Sequence, residues 1–309
     1  MIVLPDICEF YMGITVYKIK PENEGQRLDN FLLARLKGTP KSHIYGMIRR
    51  GSIRVNRKRT KPKYTLQLDD QVSLPFNHQE SAAPDLSSLN VTKQIKDSIL
   101  IDHSDFVALN KPSGVASQPG TNIDYALGDY LHSIFGERFH PVHRLDRGTS
   151  GVILFAKHAS GARQLQAALN ASSCEKVYQT VVGGTWTQNN RIFEFYIDKQ
   201  GKKMAVCNDG VATRTAIDCL SRKEGFSFLK VQIWQGKMHQ IRVTLSHLGH
   251  PILADSLYGD VNTSHWQSRW PFLHAGKLGF EYKGKKFEVS APMNKEQLEC
   301  LNHLFPSKD

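Results

Sequence analysis

The feature that most constrains this chain is a charged run followed at once by an apolar one. Residues 143–151 read HRLDRGTSG, and residues 152–156 read VILFA. A short apolar run that is rich in β-branched residues and preceded by glycine predicts a buried strand. The polar run therefore predicts a loop that enters the core of a domain, where a rigid element can hold a functional side chain in place.

One carboxylate in this loop lies between two guanidinium groups, because Asp146 is flanked by Arg144 and Arg147. Nearby positive charge keeps a carboxylate ionised even where solvent is partly excluded. An ionised and positioned carboxylate can act as a nucleophile or a general base. From the charge pattern alone, a structural ion pair that ties the loop together is the more common explanation.

The length and composition of the whole chain limit the classes of protein to which it can belong. Its 309 residues are enough for one large domain and a small one, and the formal net charge of +11 indicates a polyanionic partner, either nucleic acid or an anionic membrane surface. The five cysteines include no Cys-x-x-Cys pair, which argues against a disulfide framework or a zinc site and favours reduced thiols in the cytoplasm. No apolar run is long enough to span a membrane.

Changes in patterning along the chain predict four segments. Residues 1–12 have no basic leader and no small-residue cleavage site, so they predict an N-terminal tail rather than a signal peptide, and Met12 is an alternative start. Residues 13–76 predict a small domain and 77–97, which are poor in apolar residues, a linker. Residues 98–309 predict the second domain.

The small domain combines two predicted helices with a basic cluster. Apolar spacing predicts helices over 24–36 and 41–50, with Asp29 on the outer face of the first, and strands over 13–20 and 64–74. Arg-Leu-Asp occurs at 27–29, Arg-Arg-Gly at 49–51 and Val-Asn-Arg-Lys at 55–58. With this pattern, residues 25–74 resemble the alpha-L-type RNA-binding module, which docks on folded RNA mainly through phosphates. The segment 41–63 has no acidic residue, and its basic residues predict an RNA-binding surface: Lys41, Arg49, Arg50, Arg54, Arg57, Lys58, Arg59, Lys61 and Lys63.

The second domain is dominated by strand patterns. Residues 176–290 alternate predicted strands with turns and contain few predicted helices, while helices are expected over 123–135 and 159–169. We therefore predict an α+β fold in which a largely antiparallel mixed β-sheet carries a cleft across its middle. The complete chain would be a small RNA-binding domain followed by this sheet domain.

Several separated motifs carry a resemblance to one family. The run 143–151 resembles the catalytic motif of the RluA-type pseudouridine synthases, and 110–115 and 176–178 resemble two further motifs. Residues 234–243 resemble the third motif, although Lys237 and Met238 replace its usual Arg and Thr, and Thr244 replaces a His that follows. The resemblance implies the fold of those enzymes and the isomerisation of uridine in RNA.

The resemblance also implies residue roles. Asp146 would be the catalytic residue, with Arg242 as its partner, and Tyr178 and Ile241 would enclose the target base. Arg144 would fill the space that an extruded base leaves in the RNA. No cofactor and no metal are implied, and His239, His247 and His250 are expected to make ordinary hydrogen bonds rather than a zinc site.

The order of the motifs, with an RNA-binding module before them, resembles most closely the bacterial synthases that act on large-subunit (23S) ribosomal RNA. A monomer acting on naked or pre-ribosomal RNA is expected. Two alternatives remain open: the same reaction on tRNA, and a catalytically silent RNA-binding protein in ribosome assembly.

Overall fold

A computed structural model describes residues 7–11, 14–36, 41–75, 90–118, 123, 125–188, 191–201, 203–223, 225–259 and 261–306. The chain divides into two compact units, residues 1–84 and 85–309. Met12 lies outside the described residues. Within the described part of the chain, no helix has the length and apolarity needed to cross a membrane.

The first unit is a four-stranded antiparallel sheet packed with two helices. Its elements are β1 (Ile7–Tyr11), β2 (Ile14–Lys18), α1 (Leu28–Arg35), α2 (Lys41–Arg50), β3 (Arg54–Val55) and β4 (Gln71–Pro75). The strand order is β1-β2-β4-β3. Five residues of the expected N-terminal tail are therefore part of the sheet, because Ile7–Tyr11 pairs with β2.

One side chain of this unit departs from the prediction. Asp29 was expected to face outward, but it is only 1% exposed. The Arg27 guanidinium donates two hydrogen bonds to its carboxylate at 3.0 and 2.6 Å, and the Tyr45 hydroxyl donates a third at 2.5 Å. A buried carboxylate is tolerated when it is paired and hydrogen-bonded in this way, so apolar spacing alone misplaced it.

The second unit is built on one large sheet. Its strands are β5 (Ile99–Asp102), β6 (Phe106–Lys111), β7 (His140–Pro141), β8 (Ser150–Ala156), β9 (Glu175–Gly183), β10 (Arg191–Gln200), β11 (Lys203–Cys207), β12 (Val211–Lys223), β13 (Phe226–Ile233), β14 (Leu273–Tyr282) and β15 (Lys285–Ser290). Its helices are α3 (Asn90–Asp97), α4 (Leu127–Phe135), α5 (Ala159–Asn170), α6 (Gln240–His247) and α7 (Lys295–Leu304).

The sheet is mixed but largely antiparallel, as the sequence predicted. The main path runs β11-β10-β12-β13-β9-β14-β8-β6-β5, with β15 beside β14 and β7 beside β8. Among the described strands, only β8 and β14 pair in parallel. The fold class is thus confirmed as an α+β sheet domain preceded by a small domain.

The predicted buried strand is β8, and all seven of its residues are buried. Val152 and Leu154 pack on one face with Leu165 of α5, while Ile153 packs on the other with Leu127 of α4. Full burial of such a side chain stabilises a fold by about 1.5–3 kcal/mol. The strand before which Asp146 lies is therefore a rigid element of the core.

Part of the expected linker is structured. Residues 90–97 form α3, whose Ile95 side chain is fully buried in the core of the second unit. The helix contains few apolar residues, so its sequence resembled a linker. The boundary at 76 stays a prediction.

Candidate active site

The loop before β8 is tied down by its backbone. The Leu145 side chain is buried in the core, and the Ser117 hydroxyl both donates to the Leu145 carbonyl at 2.7 Å and accepts from its amide at 3.2 Å. The amide of Thr149 donates to the Asp146 carbonyl at 3.0 Å, which closes a turn. The side chain of Asp146 is consequently held between two fixed points.

A glycine lets this loop enter the sheet. Gly151 has a φ of 110°, and a Cβ atom there would lie 2.2 Å from the backbone oxygen of Ala275 on β14. Only glycine permits both the positive φ and this close approach. The glycine that ends the sequence motif is thus required by the parallel contact between β8 and β14.

A buried lysine joins the loop to the preceding motif. The Lys111 side chain is 0% exposed, and its ammonium donates to the carbonyl oxygens of Pro112, Val115 and Arg147 at 3.0, 2.8 and 3.2 Å. Burial lowers the pKa of Lys111 to about 7, while the charge of Asp146 opposes that shift. The three acceptors match the three N–H donors of an ammonium group.

Lys111→Met is expected to destabilise the second unit by about 3 kcal/mol, because the partly buried carbonyl groups of Pro112 and Val115 would lose their donor and each costs about 1–3 kcal/mol when unpaired. Thermal unfolding would show this as a lower Tm. The matched control is Lys286→Met on β15, where the side chain is exposed and a shift within about 0.5 kcal/mol is expected. Equal melting of the two variants would contradict the bridging role.

The Arg242 guanidinium and the His239 imidazole both lie next to the Asp146 carboxylate. The Arg242 Nη1 atom donates to its Oδ2 at 3.3 Å, and the His239 Nε2 atom lies 3.6 Å from the same oxygen. The Asp146 and Arg242 side chains are 19% and 12% exposed. An ion pair that is largely withdrawn from solvent is screened little, so Arg242 holds Asp146 firmly.

Arg242 is itself fixed by a second carboxylate. Its Nε and Nη2 atoms donate to the two oxygens of Asp255, both at 2.7 Å. Asp255 is 0% exposed, and its Oδ1 also accepts from the amides of Leu257 and Tyr258. Because a bidentate pair fixes the plane of the guanidinium, Asp255 sets the direction in which Arg242 reaches Asp146.

His239 immediately precedes α6 in a left-handed conformation, with a φ of 56° and a ψ of 16°. Such a conformation in a residue other than glycine costs about 1–3 kcal/mol and is concentrated at functional sites. The Nδ1 atom of His239 lies 2.9 Å from the Tyr258 hydroxyl. Burial lowers the pKa of His239, with Asp146 opposing that shift.

These groups line one pocket over the middle strands of the sheet. Its lining includes Asp146, Tyr178 of β9, Ile233 of β13, Leu273 of β14 and Ile241 of α6. Burial raises the pKa of the Tyr178 phenol, and the nearby Asp146 charge raises it further. Tyr178 therefore keeps its proton at neutral pH and presents an uncharged ring beside the carboxylate.

The remaining charged residues of the loop lie apart from the Asp146–Arg242 pair. Arg144 is exposed at the mouth of the pocket. Arg147 donates from Nε to the carbonyl of Gly114 at 2.8 Å, and its guanidinium carbon lies 5.4 Å from the ring centre of Trp270. Of the two flanking arginines, neither has a hydrogen bond or ion pair to Asp146 within the described residues.

The three residues that depart from the third motif differ in their surroundings. Lys237 and Met238 are exposed at the pocket rim, so they can only affect contacts made at the surface. Thr244 is fully buried, and its hydroxyl oxygen has no hydrogen-bond partner within the described part of the chain.

The histidines considered for metal binding have separate partners. His250 Nδ1 lies 2.9 Å from the carbonyl oxygen of Gly183. The His247 ring packs edge-on against Phe195 with the ring centres 5.0 Å apart. His239 contacts Asp146 and Tyr258, as described above.

The basic residues of the first unit form an exposed set. Eight of the nine have exposed side chains, and none of these eight has a carboxylate partner within the described residues: Arg49, Arg50, Arg54, Arg57, Lys58, Arg59, Lys61 and Lys63. Lys41 begins α2. Unpaired cations concentrated in one small unit favour binding to phosphates.

Sequence reasoning missed several supporting residues. Lys111 fell inside the motif at 110–115, but its role depends on Arg147, and that of Tyr258 depends on Met204; both partners are far away in sequence. Asp255 had no local signal, since a single Asp in a loop is unremarkable until Arg242 is placed next to it.

Comparison with known proteins identifies the family. A profile of the RNA pseudouridylate synthase family matches residues 105–247, and an S4 domain profile matches residues 26–72. The chain is 34% identical to the ribosomal large subunit pseudouridine synthase C of Pasteurella multocida, over 96% of this chain and 95% of the relative. This chain belongs to the RNA pseudouridylate synthase family.

A further relative agrees with this membership, and a solved structure has a similar fold. The ribosomal large subunit pseudouridine synthase C of Escherichia coli K12 is 33% identical over 94% of this chain and 97% of its own length. The human RNA Pseudouridylate Synthase Domain Containing 4 structure covers 69% of this chain and 95% of its own, with a TM-score of 0.58 and 21% identity. The latter supports the pseudouridylate synthase fold alone.

Proposed function

We propose that the protein isomerises specific uridines to pseudouridine in large-subunit (23S) ribosomal RNA, with Asp146 as the catalytic residue. The observation that carries this proposal is the Asp146 carboxylate in a pocket, ion-paired with Arg242 and beside the Tyr178 ring. Relatives named for the ribosomal large subunit support the RNA class. The protein would act in the cytoplasm as a monomer on naked or pre-ribosomal RNA.

The proposed reaction needs no oxidant or reductant. The bond from the sugar to a ring nitrogen breaks, a bond from the same sugar carbon to a ring carbon forms, and that carbon loses the proton which the nitrogen gains. Asp146 would either attack the sugar or remove a proton from it. Both routes require the carboxylate in one orientation, and Arg242 supplies a hydrogen bond that fixes it.

The apolar wall of the pocket suits a detached base. Tyr178 and Ile241 would enclose the uracil, and stacking on an aromatic ring is worth about 1–3 kcal/mol. Exclusion of water keeps the detached base available for recapture. The base must first leave the RNA stack, and Arg144 at the pocket mouth would occupy the space it leaves.

Exposed cations on the pocket lining and beside the Trp270 ring favour RNA over a small substrate. Arg144, Arg147, Lys237 and Arg269 are exposed, and none has a carboxylate partner among the described residues. Arg147 and Arg269 both lie over the Trp270 ring, at 5.4 and 4.7 Å from its centre. Such groups would bind the phosphates that flank the extruded nucleotide.

The test is to incubate the protein with uridine-labelled 23S rRNA and, separately, with tRNA, and to analyse the nucleosides. Pseudouridine in the rRNA is the expected result. Conversion confined to tRNA would replace the proposed substrate with the alternative one. Tight rRNA binding without any pseudouridine would indicate the silent assembly protein instead.

Neutralising the basic surface of the first unit is expected to weaken rRNA binding. Replacing Arg54, Arg57, Lys58 and Arg59 with Gln should also flatten the salt dependence of affinity, by a log–log slope of about 0.7–0.9 for each phosphate that is no longer neutralised. The pocket around Asp146 belongs to the other unit and should stay intact.

The matched control exchanges Arg and Lys at the same four positions, which keeps the charge and should largely keep the affinity and slope. Filter binding over a range of salt concentrations provides the measurement. If the neutral variant bound as well as the control with the same slope, these cations would be an ordinary solvated surface.

A further inference from the structure

The side-chain contacts to the Asp146 carboxylate are all made to one of its two oxygens. Arg242 Nη1 and His239 Nε2 both reach Oδ2, at 3.3 and 3.6 Å. The other oxygen, Oδ1, accepts no hydrogen bond from the described residues. Arg242 thus bonds one oxygen, His239 Nε2 lies just beyond hydrogen-bond distance of the same oxygen, and the second oxygen is left for the reaction.

A chain of hydrogen bonds favours one tautomer of His239. The Met204 amide on β11 donates to the Tyr258 hydroxyl oxygen at 2.8 Å. That oxygen has accepted one bond, and its own proton is free to be donated to His239 Nδ1, 2.9 Å away. A neutral imidazole that accepts at Nδ1 has its proton on Nε2. The Nε2–H group then faces Asp146.

The backbone and the surrounding charges support this orientation. The left-handed φ of 56° places His239 in the turn before α6. Burial lowers its pKa, so the neutral form prevails at neutral pH. Tyr258 is fixed from a third side, because the Arg242 guanidinium lies 5.1 Å from the centre of its ring.

We propose that His239 is a positioning residue for Asp146, held by Tyr258 as the Nε2–H tautomer, so that His239 and Arg242 fix one carboxylate oxygen and direct the other at the sugar. The inference rests on the proposed function for its catalytic meaning. His239 acts here as a donor, so it does not accept the proton that the uracil carbon releases.

The first test compares two substitutions of His239. His239→Gln keeps an N–H donor of similar reach, whereas His239→Leu removes it. Single-turnover conversion of a 23S rRNA transcript is expected to fall about 100-fold in the Leu variant and about 10-fold or less in the Gln variant, with RNA affinity unchanged. An unchanged rate in the Leu variant, or equal losses in both variants with equal Tm, would overturn the donor role.

The second test observes the tautomer without any turnover. Long-range ¹H–¹⁵N correlation spectra of histidine-labelled protein at mildly alkaline pH should show a protonated Nε2 and an unprotonated Nδ1 for His239, assigned by its absence from the Gln variant. Tyr258→Phe should change this pattern toward a mixture and lower the rate about three- to tenfold. Tyr196→Phe is the control, because the exposed Tyr196 side chain lies on the face of the sheet opposite to the pocket.

The two tests separate this inference from the proposed function. If the unaltered protein makes no pseudouridine, the function fails, and the spectra alone decide whether Tyr258 fixes His239. If the protein is active but Nδ1 carries the proton, the positioning role is overturned and the function stands.

Discussion

Asp146→Asn is expected to abolish pseudouridine formation while RNA binding persists. Asn is almost isosteric with Asp and can still accept a hydrogen bond from Arg242, but it is neither an effective nucleophile nor a base. Asp255 cannot substitute for Asp146, because it is 0% exposed and both of its oxygens are engaged by Arg242. A rate loss of about 10⁴-fold or more is expected, as when the reacting group of an enzyme is removed.

Binding should survive in this variant because affinity comes chiefly from phosphate contacts away from Asp146, and removal of a negative charge facing the RNA would tighten it slightly. The measurements are nucleoside analysis and filter binding on the same preparation. Asp218→Asn is the control, since that carboxylate pairs with Lys230 on the opposite face of the sheet. Activity near that of the unaltered protein would refute the catalytic assignment.

Thermal melting separates catalysis from architecture in the Asp146→Asn variant. Inactivity with an unchanged Tm assigns Asp146 to the reaction. Inactivity together with a failure to fold would support the structural ion pair that the charge pattern alone also allows.

The parts of the fold that were predictable are those with a strong local pattern. Residues 152–156 lie within a fully buried strand because they are apolar on both faces, and 41–50 form α2 as the spacing of apolar residues predicted. The α3 helix was missed because its burial depends on only Thr92 and Ile95. Its stability comes from tertiary packing, which no local pattern reports.

The residues of the site also divide into those that a sequence motif indicated and those that it did not. Asp146, Tyr178 and Arg242 could be named from motifs, and they line one pocket. Asp255 could not be named, because its importance arises only when the fold brings a buried guanidinium to it. The sequence predicted Asp146 as the partner of Arg242 but missed a second partner. The two shortest hydrogen bonds of Arg242 go to Asp255.

This second partner changes what Arg242→Met should do. The sequence alone predicts loss of activity with an intact fold. In the structure the same change leaves the buried Asp255 carboxylate without its cation, and breaking a buried pair in this way costs about 3–5 kcal/mol. We therefore expect a rate loss of about 10²–10³-fold together with a clearly lower Tm.

A double variant separates the two effects. Asp255→Asn in the Arg242→Met background removes the orphaned charge and keeps an oxygen that accepts from the amides of Leu257 and Tyr258. The Tm should recover in large part, because the buried group is then neutral and hydrogen-bonded.

The rate should not recover with it, since nothing in the double variant replaces the donor that holds Asp146. Single-turnover conversion and thermal melting of both variants test this. If activity returned along with stability, the effect of Arg242 would be on folding, and the orientation of Asp146 would depend on His239 and the loop backbone instead. Persistent inactivity in a well-folded double variant would establish that Asp255 stabilises the site through Arg242 and that Arg242 serves the reaction through Asp146.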